Sequence, residues 1–480
     1  MGAAGLTSSA SEMAGRSGSG VEFDVSSVPV RESGMTPYEI LLSESQERML
    51  VVAKSGHEPE VRQILEKWEL GAEPIGCVTD DGQFRVLENG TVVADIPALP
   101  LTEGCPTYEH DVEEDHEIIA LRSFDMTHIL KRKGDFSTQF LDLLGSPNIA
   151  SKAWIYEQYD TTVRTNTVMG PGGDAGVIRF RGSRRGLAAT MDCNGRYCYL
   201  DPRQGAKAAV AEAARNLVCV GAVPTAVTNC LNFGNPLKPS NYFQLREAVL
   251  GMAEACAYFE TPVTGGNVSL YNETGGQVVY PTPVIGMVGI LEDVSRALGH
   301  SFTQEGDLIL LLGENREEIG GSEYLYGNEG IVAGSPPLVD LAAERQLQRA
   351  TLSLHEEGVL HSAHDCAEGG LACALAESAL SGPNGPWGVE VELNEPLAPA
   401  ALLFGETQGR VLVSCDRGDA ARVLEVAEKY QVPTSVIGSV QARSDTFSIV
   451  LPLGFIRVRS GEMARRYREA IPAIMEAGQP

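Results

Sequence analysis

The chain has 480 residues, 43% of them hydrophobic and 21% charged, with a formal net charge of −27. That length holds two to four domains with cores of their own, and the acidic balance excludes nucleic acid as the main partner, because neutralising phosphates needs clustered Lys and Arg. No apolar run approaches the roughly 20 residues that span a bilayer, Met1–Gly20 is polar without a secretory apolar core, and ten cysteines without a CxxC pair fit reduced thiols, so the expectation is a cytoplasmic protein with no membrane partner.

In chain order, the patterning predicts a helix over Thr7–Ala14, a strand over Arg48–Ala53, a helix over Pro59–Glu69 and a strand over Pro74–Val78. The second helix carries Val61, Ile64, Leu65 and Trp68 at i, i+3, i+4 and i+7, an apolar stripe. Pro97–Glu117 is punctuated by proline and rich in Asp and Glu, and reads as a linker or surface loop. Further strands are expected at Val177–Arg181, Leu187–Met191 and Val284–Leu291, with long helices at Gly205–Val220 and Tyr242–Phe259. Strands alternating with amphipathic helices indicate an α/β (α+β) architecture.

The chain contains one passage twice. Gly5–Ala14 matches Gly370–Ala379, 365 positions on, and Ser43-Glu44-Ser45-Gln46-Glu47-Arg48 matches Gly405-Glu406-Thr407-Gln408-Gly409-Arg410, 362 positions on. The second register also pairs Val61, Ile64, Leu65 and Trp68 with Val423, Val426, Ala427 and Tyr430, and Ile75-Gly76 with Ile437-Gly438. A repeat fixes the building unit before any fold is assigned. Residues 1–95 form one unit, 96–125 an acidic linker, 126–300 an unrelated unit, and 301–480 the second copy of the first. In the second copy His364-Asp365 precede the passage, and the matching aspartate would fall ahead of Met1. This leads to the expectation of a longer parent protein with a further unit of the middle type.

Several segments carry polar chemistry. Gly170-Pro171-Gly172-Gly173-Asp174 is either a turn or a loop whose amides approach phosphates. There is no GxxxxGK[ST] and no GxGxxG, so neither a P-loop nor a dinucleotide fold is supported. Asp192-Cys193-Asn194 follows a strand, where a lone Asp is as often a turn former as a metal ligand. Asn229, Asn232 and Asn235 place three amides in a short span that suits either turns or ligand contacts. In Gly265-Gly266-Asn267-Val268-Ser269, alternation aims Asn267 and Ser269 to one side of an extended strand, a hard oxygen beside a hydroxyl. His361, His364 and Asp365 resemble a metal site without an obvious third ligand, which favours a structural role. Gly2–Gly5 and Glu368-Gly369-Gly370 bring backbone amides to helix N-termini, which attract anions.

Ser43–Leu50, Tyr156-Glu157-Gln158-Tyr159-Asp160, Arg164-Thr165-Asn166-Thr167, Leu231–Pro236 and Gly265–Glu273 closely resemble the small-form synthetase subunits of the phosphoribosylformylglycinamidine synthase family, over nearly the whole chain. The resemblance implies the aminoimidazole ribonucleotide synthetase-like fold, internally duplicated, with this chain arranged B1-A2-B2. It implies a ligase that forms a carbon–nitrogen bond in purine biosynthesis: ATP phosphorylates the formamide oxygen of formylglycinamide ribonucleotide, and glutamine-derived ammonia displaces the phosphate. Implied partners are a glutaminase subunit, a small bridging subunit and the A1 domain, in cis or in trans. By motif, Glu44, Ser45, Gln46 and Ser269 would hold the ribonucleotide, Asn229 and Gly266 would line the ATP site, and Asn267 would ligate Mg²⁺. Asn229 stands where similar proteins have Asp. The family's catalytic histidine belongs to a His-Asn-His-Pro-Ser motif of A1, and these 480 residues contain no such motif. The chain alone is therefore expected to be inactive. The alternative is a non-catalytic nucleotide-binding scaffold, half of a split synthetase.

Overall fold

The computed structural model describes residues 1–44, 48–104, 106–382, 385–441 and 445–477, in two compact units, Met1–Glu109 and His110–Pro480. Unit 1 runs α1 (Gly5–Ser17), β1 (Gly20–Asp24), α2 (Pro37–Leu42), α3 (Glu58–Glu66), β2 (Gly76–Thr79), β3 (Gln83–Glu88) and β4 (Thr91–Pro97). Its sheet has the order β2-β1-β3-β4, with β1 parallel to β3 and the other pairs antiparallel. Helix α2 starts at a capping box, Thr36 and Glu39 each bonding the other's backbone amide, which satisfies two otherwise orphaned donors. A small core of Leu6, Ala10, Ala14, Phe23, Ile40, Phe84 and Val86 joins α1 and α2 to the sheet.

Unit 2 begins with α4 (His116–Arg122), α5 (Thr127–Leu130), β5 (Gly134–Asp135), α6 (Ser137–Leu144) and α7 (Ala153–Tyr156). Next come β6 (Thr167–Met169), β7 (Gly176–Arg179), β8 (Gly186–Asp192), α8 (Gly195–Leu200), α9 (Pro202–Cys219), β9 (Val223–Asn232), α10 (Pro239–Phe259), β10 (Val263–Ser269), β11 (Glu273–Thr274), β12 (Gln277–Val278) and β13 (Thr282–Leu291). The last part holds β14 (Leu308–Leu312), α11 (Glu323–Glu329), α12 (Leu341–Glu357), β15 (Ser362–Asp365), α13 (Gly370–Leu380), β16 (Gly388–Glu392), α14 (Pro399–Phe404), β17 (Val411–Cys415), α15 (Ala420–Lys429), β18 (Thr434–Gln441), β19 (Thr446–Leu451), β20 (Gly454–Arg459) and α16 (Ser460–Ala477).

A six-stranded sheet, β10-β9-β13-β8-β7-β6, packs one face on α9, whose alanines 206, 209, 213 and 214 are buried. Small side chains let helix and sheet approach closely. An eight-stranded sheet, β15-β17-β14-β18-β16-β19-β20-β5, carries the larger core of α6, α13 and α14. Among the described residues no helix is long and apolar enough to cross a membrane.

The repeat is visible in the backbone. Strands β2-β1-β3-β4 of unit 1 correspond to β18-β16-β19-β20, in the same order and with the same parallel and antiparallel pairings. Phe23 faces Gly76 as Val391 faces Gly438. A Cβ at either glycine would lie 2.1 Å from a carbonyl oxygen of the neighbouring strand, that of Glu22 or of Glu390. Both positions therefore require glycine.

One sequence expectation is corrected. Residues 48–53 do not form the expected strand. Their counterpart β17 is a strand because β14 and β15 flank it on both sides, and the described part of unit 1 offers residues 48–53 no such partner; a lone extended segment is not stable in water. The stretch 96–125 contains the boundary between the two units, after Glu109, and has structure at both ends. β4 extends to Pro97, and His116–Arg122 is a helix capped by Asp115, with Glu114 paired to Arg122.

Candidate functional site

Three places bear the polar residues singled out in the sequence. The first is the free edge of the six-stranded sheet. β10 pairs in parallel with β9, Gly266 opposite Asn229, Asn267 opposite Cys230 and Ser269 opposite Asn232. The two-residue period puts Asn267 and Ser269 on one face. Asn229 lies across Gly266: a Cβ there would meet the Asn229 Oδ1 at 2.1 Å and its carbonyl oxygen at 2.5 Å. The side chain of Asn267 reaches only the Cys230 Sγ, at 3.9 Å through Nδ2. Among the described residues, Asn267 Oδ1, Ser269 Oγ and the Asn229 carboxamide accept and donate no hydrogen bond. The loop beyond is held by backbone: the Ser269 carbonyl accepts from the Phe233 amide at 3.0 Å and from Asn272 Nδ2 at 2.9 Å. The edge thus presents a row of unpaired oxygens and amides on a rigid strand, together with an exposed glycine backbone, suited to contacting phosphate or a hard cation.

The second place is the loop after α2 in unit 1. Glu44 is exposed, and its Oε1 accepts from the Ala4 amide at 2.9 Å. Ala4 adopts a left-handed conformation, φ 56°, that turns this N–H outward just ahead of α1. Arg48 ties the loop's far end to the Ser43 carbonyl. Ser45 and Gln46 lie outside the described residues.

The third place is a buried polar chamber in unit 2, where β8, α9, β15 and the loop after α14 meet. Glu406 Oε1 accepts from the Gly369 amide at 2.8 Å and the Glu323 amide at 2.9 Å, and its other oxygen from the Tyr197 hydroxyl. Arg215 pairs with Asp365 at 2.6 Å and Glu344 at 2.5 Å. Asp192 Oδ1 accepts from Asn216 Nδ2 at 2.8 Å. Asn194 caps α8 and donates to Glu368 at 3.1 Å. Glu212 is buried, and among the described residues its side chain accepts no hydrogen bond. Burial, reinforced by neighbouring carboxylates, pushes Asp192 up to about 8 and raises Glu212 and Glu368; Glu406 rises to about 7. Desolvation disfavours the charged form of each.

Asp174 anchors the Gly170–Gly173 loop to this chamber. It accepts from the Asp365 amide at 2.9 Å and from His364 Nδ1 at 2.9 Å, while His364 Nε2 meets Glu377 at 3.1 Å. The two carboxylates outweigh burial and hold the His364 imidazole well above its ordinary range. His361 pairs separately with Asp307 at 2.8 Å. No group of three or more metal-ligating side chains in metal-binding geometry occurs among the described residues. The amides at the N-termini of α1 and α13 are met by the chain's own side chains: the Ala4 amide donates to Glu44 and the Gly369 amide to Glu406. The sequence reading did not single out Glu406, Gln408 or Glu344 as site residues. The signal was there in the repeat, which aligns Glu406-Thr407-Gln408 on Glu44-Ser45-Gln46.

Comparison with known proteins gives consistent results. The model of the AIR synthase related protein, N-terminal domain, matches residues 172–291, and that of the C-terminal domain matches both 1–88 and 304–450. The chain is 51% identical over 478 residues to the phosphoribosylformylglycinamidine synthase subunit PurL of Moorella thermoacetica, covering 99% of this chain and 64% of that protein. It is likewise 51% identical over 443 residues to PurL of Caldanaerobacter subterraneus subsp. tengcongensis, covering 92% and 60%. The chain therefore spans less than two thirds of the length of these curated relatives. Among solved structures, that of PurLQS from Thermotoga maritima superposes with a TM-score of 0.63 at 25% identity, covering 92% of this chain and 63% of that one. Thermotoga maritima PurL complexed with FGAR has the same fold, with a TM-score of 0.62 at 24% identity.

Proposed function

Because the chain belongs to the AIR synthase related family, within the PurL group, we propose that it forms part of a phosphoribosylformylglycinamidine synthase. In this reading it contributes to the ATP-dependent conversion of formylglycinamide ribonucleotide to its amidine. The supporting observation is the edge of β10: Asn267 Oδ1 and Ser269 Oγ, unpaired and on one face, with Asn229 folded over a side-chain-free Gly266. PurL structures of Thermotoga maritima include complexes with ATP and with FGAR.

Each residue has a distinct part. Gly266 leaves its backbone accessible, and Asn229 fixes the shape of the nucleotide cradle from one side. Ser269 of unit 2 offers its hydroxyl to a ribonucleotide, and Glu44, Ser45 and Gln46 are ribonucleotide-binding residues of unit 1. Asn267 offers a neutral hard oxygen that suits Mg²⁺, an ion that neutralises nucleotide phosphates in phosphoryl transfer. The nitrogen is ammonia derived from glutamine by a glutaminase subunit, acting with a small bridging subunit. Residues 1–95 and 301–480 serve as the two copies of one domain, and 126–300 as the nucleotide-facing domain. The catalytic histidine belongs to an A1 domain in cis or in trans, since these residues lack its motif.

Calorimetric titrations with Mg·ATP and with formylglycinamide ribonucleotide test this reading. N267A and S269A should each weaken binding of nucleotide or ribonucleotide about tenfold, the value of one hydrogen bond to a charged group. G266A should weaken ATP more, by displacing Asn229. Equal affinities in all three variants would remove the β10 edge from the site. Ammonia-dependent amidine formation by the chain alone would overturn the need for A1.

A further inference from the structure

The duplication extends to the ligand loop itself, and the second copy has acquired an occupant. In unit 1 the Ala4 amide donates to Glu44 and Arg48 binds the Ser43 carbonyl; in unit 2 the Gly369 amide donates to Glu406 and Arg410 Nη2 binds the Gly405 carbonyl at 2.7 Å. The left-handed turn is repeated too, φ 56° at Ala4 and 79° at Gly369. The surroundings differ. Glu44 is exposed, whereas Glu406, Thr407 and Gln408 are buried.

We propose that the second loop is a self-liganded pocket: it keeps the anchoring contacts of the first and closes on the guanidinium of Arg215, so that the cavity is selective for a planar guanidinium cation. Three elements aim acceptors along the guanidinium's edges. Asp365, at the end of β15, takes Nε at 2.6 Å and Nη2 at 3.4 Å; Glu344, on α12, takes Nη1 at 2.5 Å. Gln408, in the loop, accepts from Nη2 at 3.0 Å. The acceptors are themselves oriented. Gln408 Nε2 donates to the Glu406 carbonyl at 3.2 Å, which turns its Oε1 toward Arg215, and the Asp365 amide is fixed on Asp174. Arg215 is completely buried. An ammonium has one nitrogen and cannot span these acceptors, whereas the planar fork does. The inference rests on the repeat and these contacts, and stands whether or not the first loop holds a ribonucleotide.

The test is chemical rescue in the full chain, read by thermal unfolding. R215A empties the pocket and leaves two carboxylates without their cation, so its midpoint should fall by roughly 5–10 °C. Low-millimolar guanidinium or methylguanidinium should restore most of that loss, leave the wild type unmoved, and outperform equal concentrations of ammonium or sodium chloride. An unshifted midpoint in R215A, or rescue by ammonium and sodium as good as by guanidinium, would overturn the proposal. Should R215A fail to fold, R215K decides: a lowered midpoint supports a fork-shaped pocket, and a wild-type midpoint refutes it.

Discussion

Helices α3 and α15 carry the same apolar stripe and meet opposite fates. In α15, Val423, Val426 and Ala427 are buried among Leu310 and Leu312 of β14, Leu347 and Leu354 of α12, and Val411 and Val413 of β17. In α3 no residue is buried; Ile64 is 62% exposed, and Trp68, just beyond the helix, 68%. The local pattern is sufficient to make the helix both times. What it cannot do is supply the opposing surface, and hydrophobic stabilisation scales with the area actually removed from water. The same contrast separates β17, paired on both sides, from residues 48–53, which form no strand.

The contrast yields graded predictions. The largest effect is expected at the loop arginines. Arg410 is completely buried and binds Gly405, Thr407 and Asn315, so R410A should destabilise unit 2 by about 4 kcal/mol, whereas R48A, at a half-buried site, should lower unit 1 by about 1 kcal/mol. Urea unfolding resolved by hydrogen exchange measures both; equal losses would break the comparison. Next, V426A should cost about 2 kcal/mol through a core cavity, against no more than about 0.5 kcal/mol for I64A on α3. A loss at I64A matching that at V426A would mean that the α3 stripe is covered in solution.

The smallest and most informative difference is in pH. Asp192, Glu406 and His364 all have raised pKa values in unit 2. At these three groups the folded state therefore binds more protons than the unfolded chain, whereas burial lowers His300 and His355, which act in the opposite sense below about pH 6.5. The contribution of the three raised groups to the stability of unit 2 should fall as pH rises from about 4 for the carboxyls, and from about 6.5 for the His364 imidazole, through the folded values. In unit 1, hydrogen bonds from Thr79, Gln83 and Arg85 lower Asp81 to about 2, and the Gly90 and Ser26 amides lower Asp24. Both contributions are present above the ordinary carboxylate range and are lost only as pH falls toward 2. Amide exchange, corrected for intrinsic rate, should show protection falling between pH 6 and pH 8 in unit 2 alone. The same fall in unit 1 would contradict these assignments.

Much was legible beforehand. The repeat, read from Glu44-Ser45-Gln46 and Glu406-Thr407-Gln408, marked two copies of one unit, and the alternation through Asn267 and Ser269 placed both on one strand face. Helices α9 and α10 followed from their long periodic patterns. The strand at 48–53 was misread because its apolar residues match those of β17, and pairing partners are not a local property. The chamber around Arg215 escaped because its members come from helix α9, helix α12, strand β15 and a loop, far apart in the chain, and none has a distinctive spacing.

The sequence by itself determined which backbone each segment prefers: periodicity, capping residues and obligatory glycines such as Gly76 and Gly438 act within a few neighbours. Only the tertiary structure decided which copy of each repeated segment is buried, that Glu44 stays exposed, and that the loop of Glu406 and Gln408 closes on an arginine. Burial and charge pairing depend on what lies opposite, and what lies opposite is set by contacts between residues of different elements, such as Arg215 with Asp365, 150 positions apart.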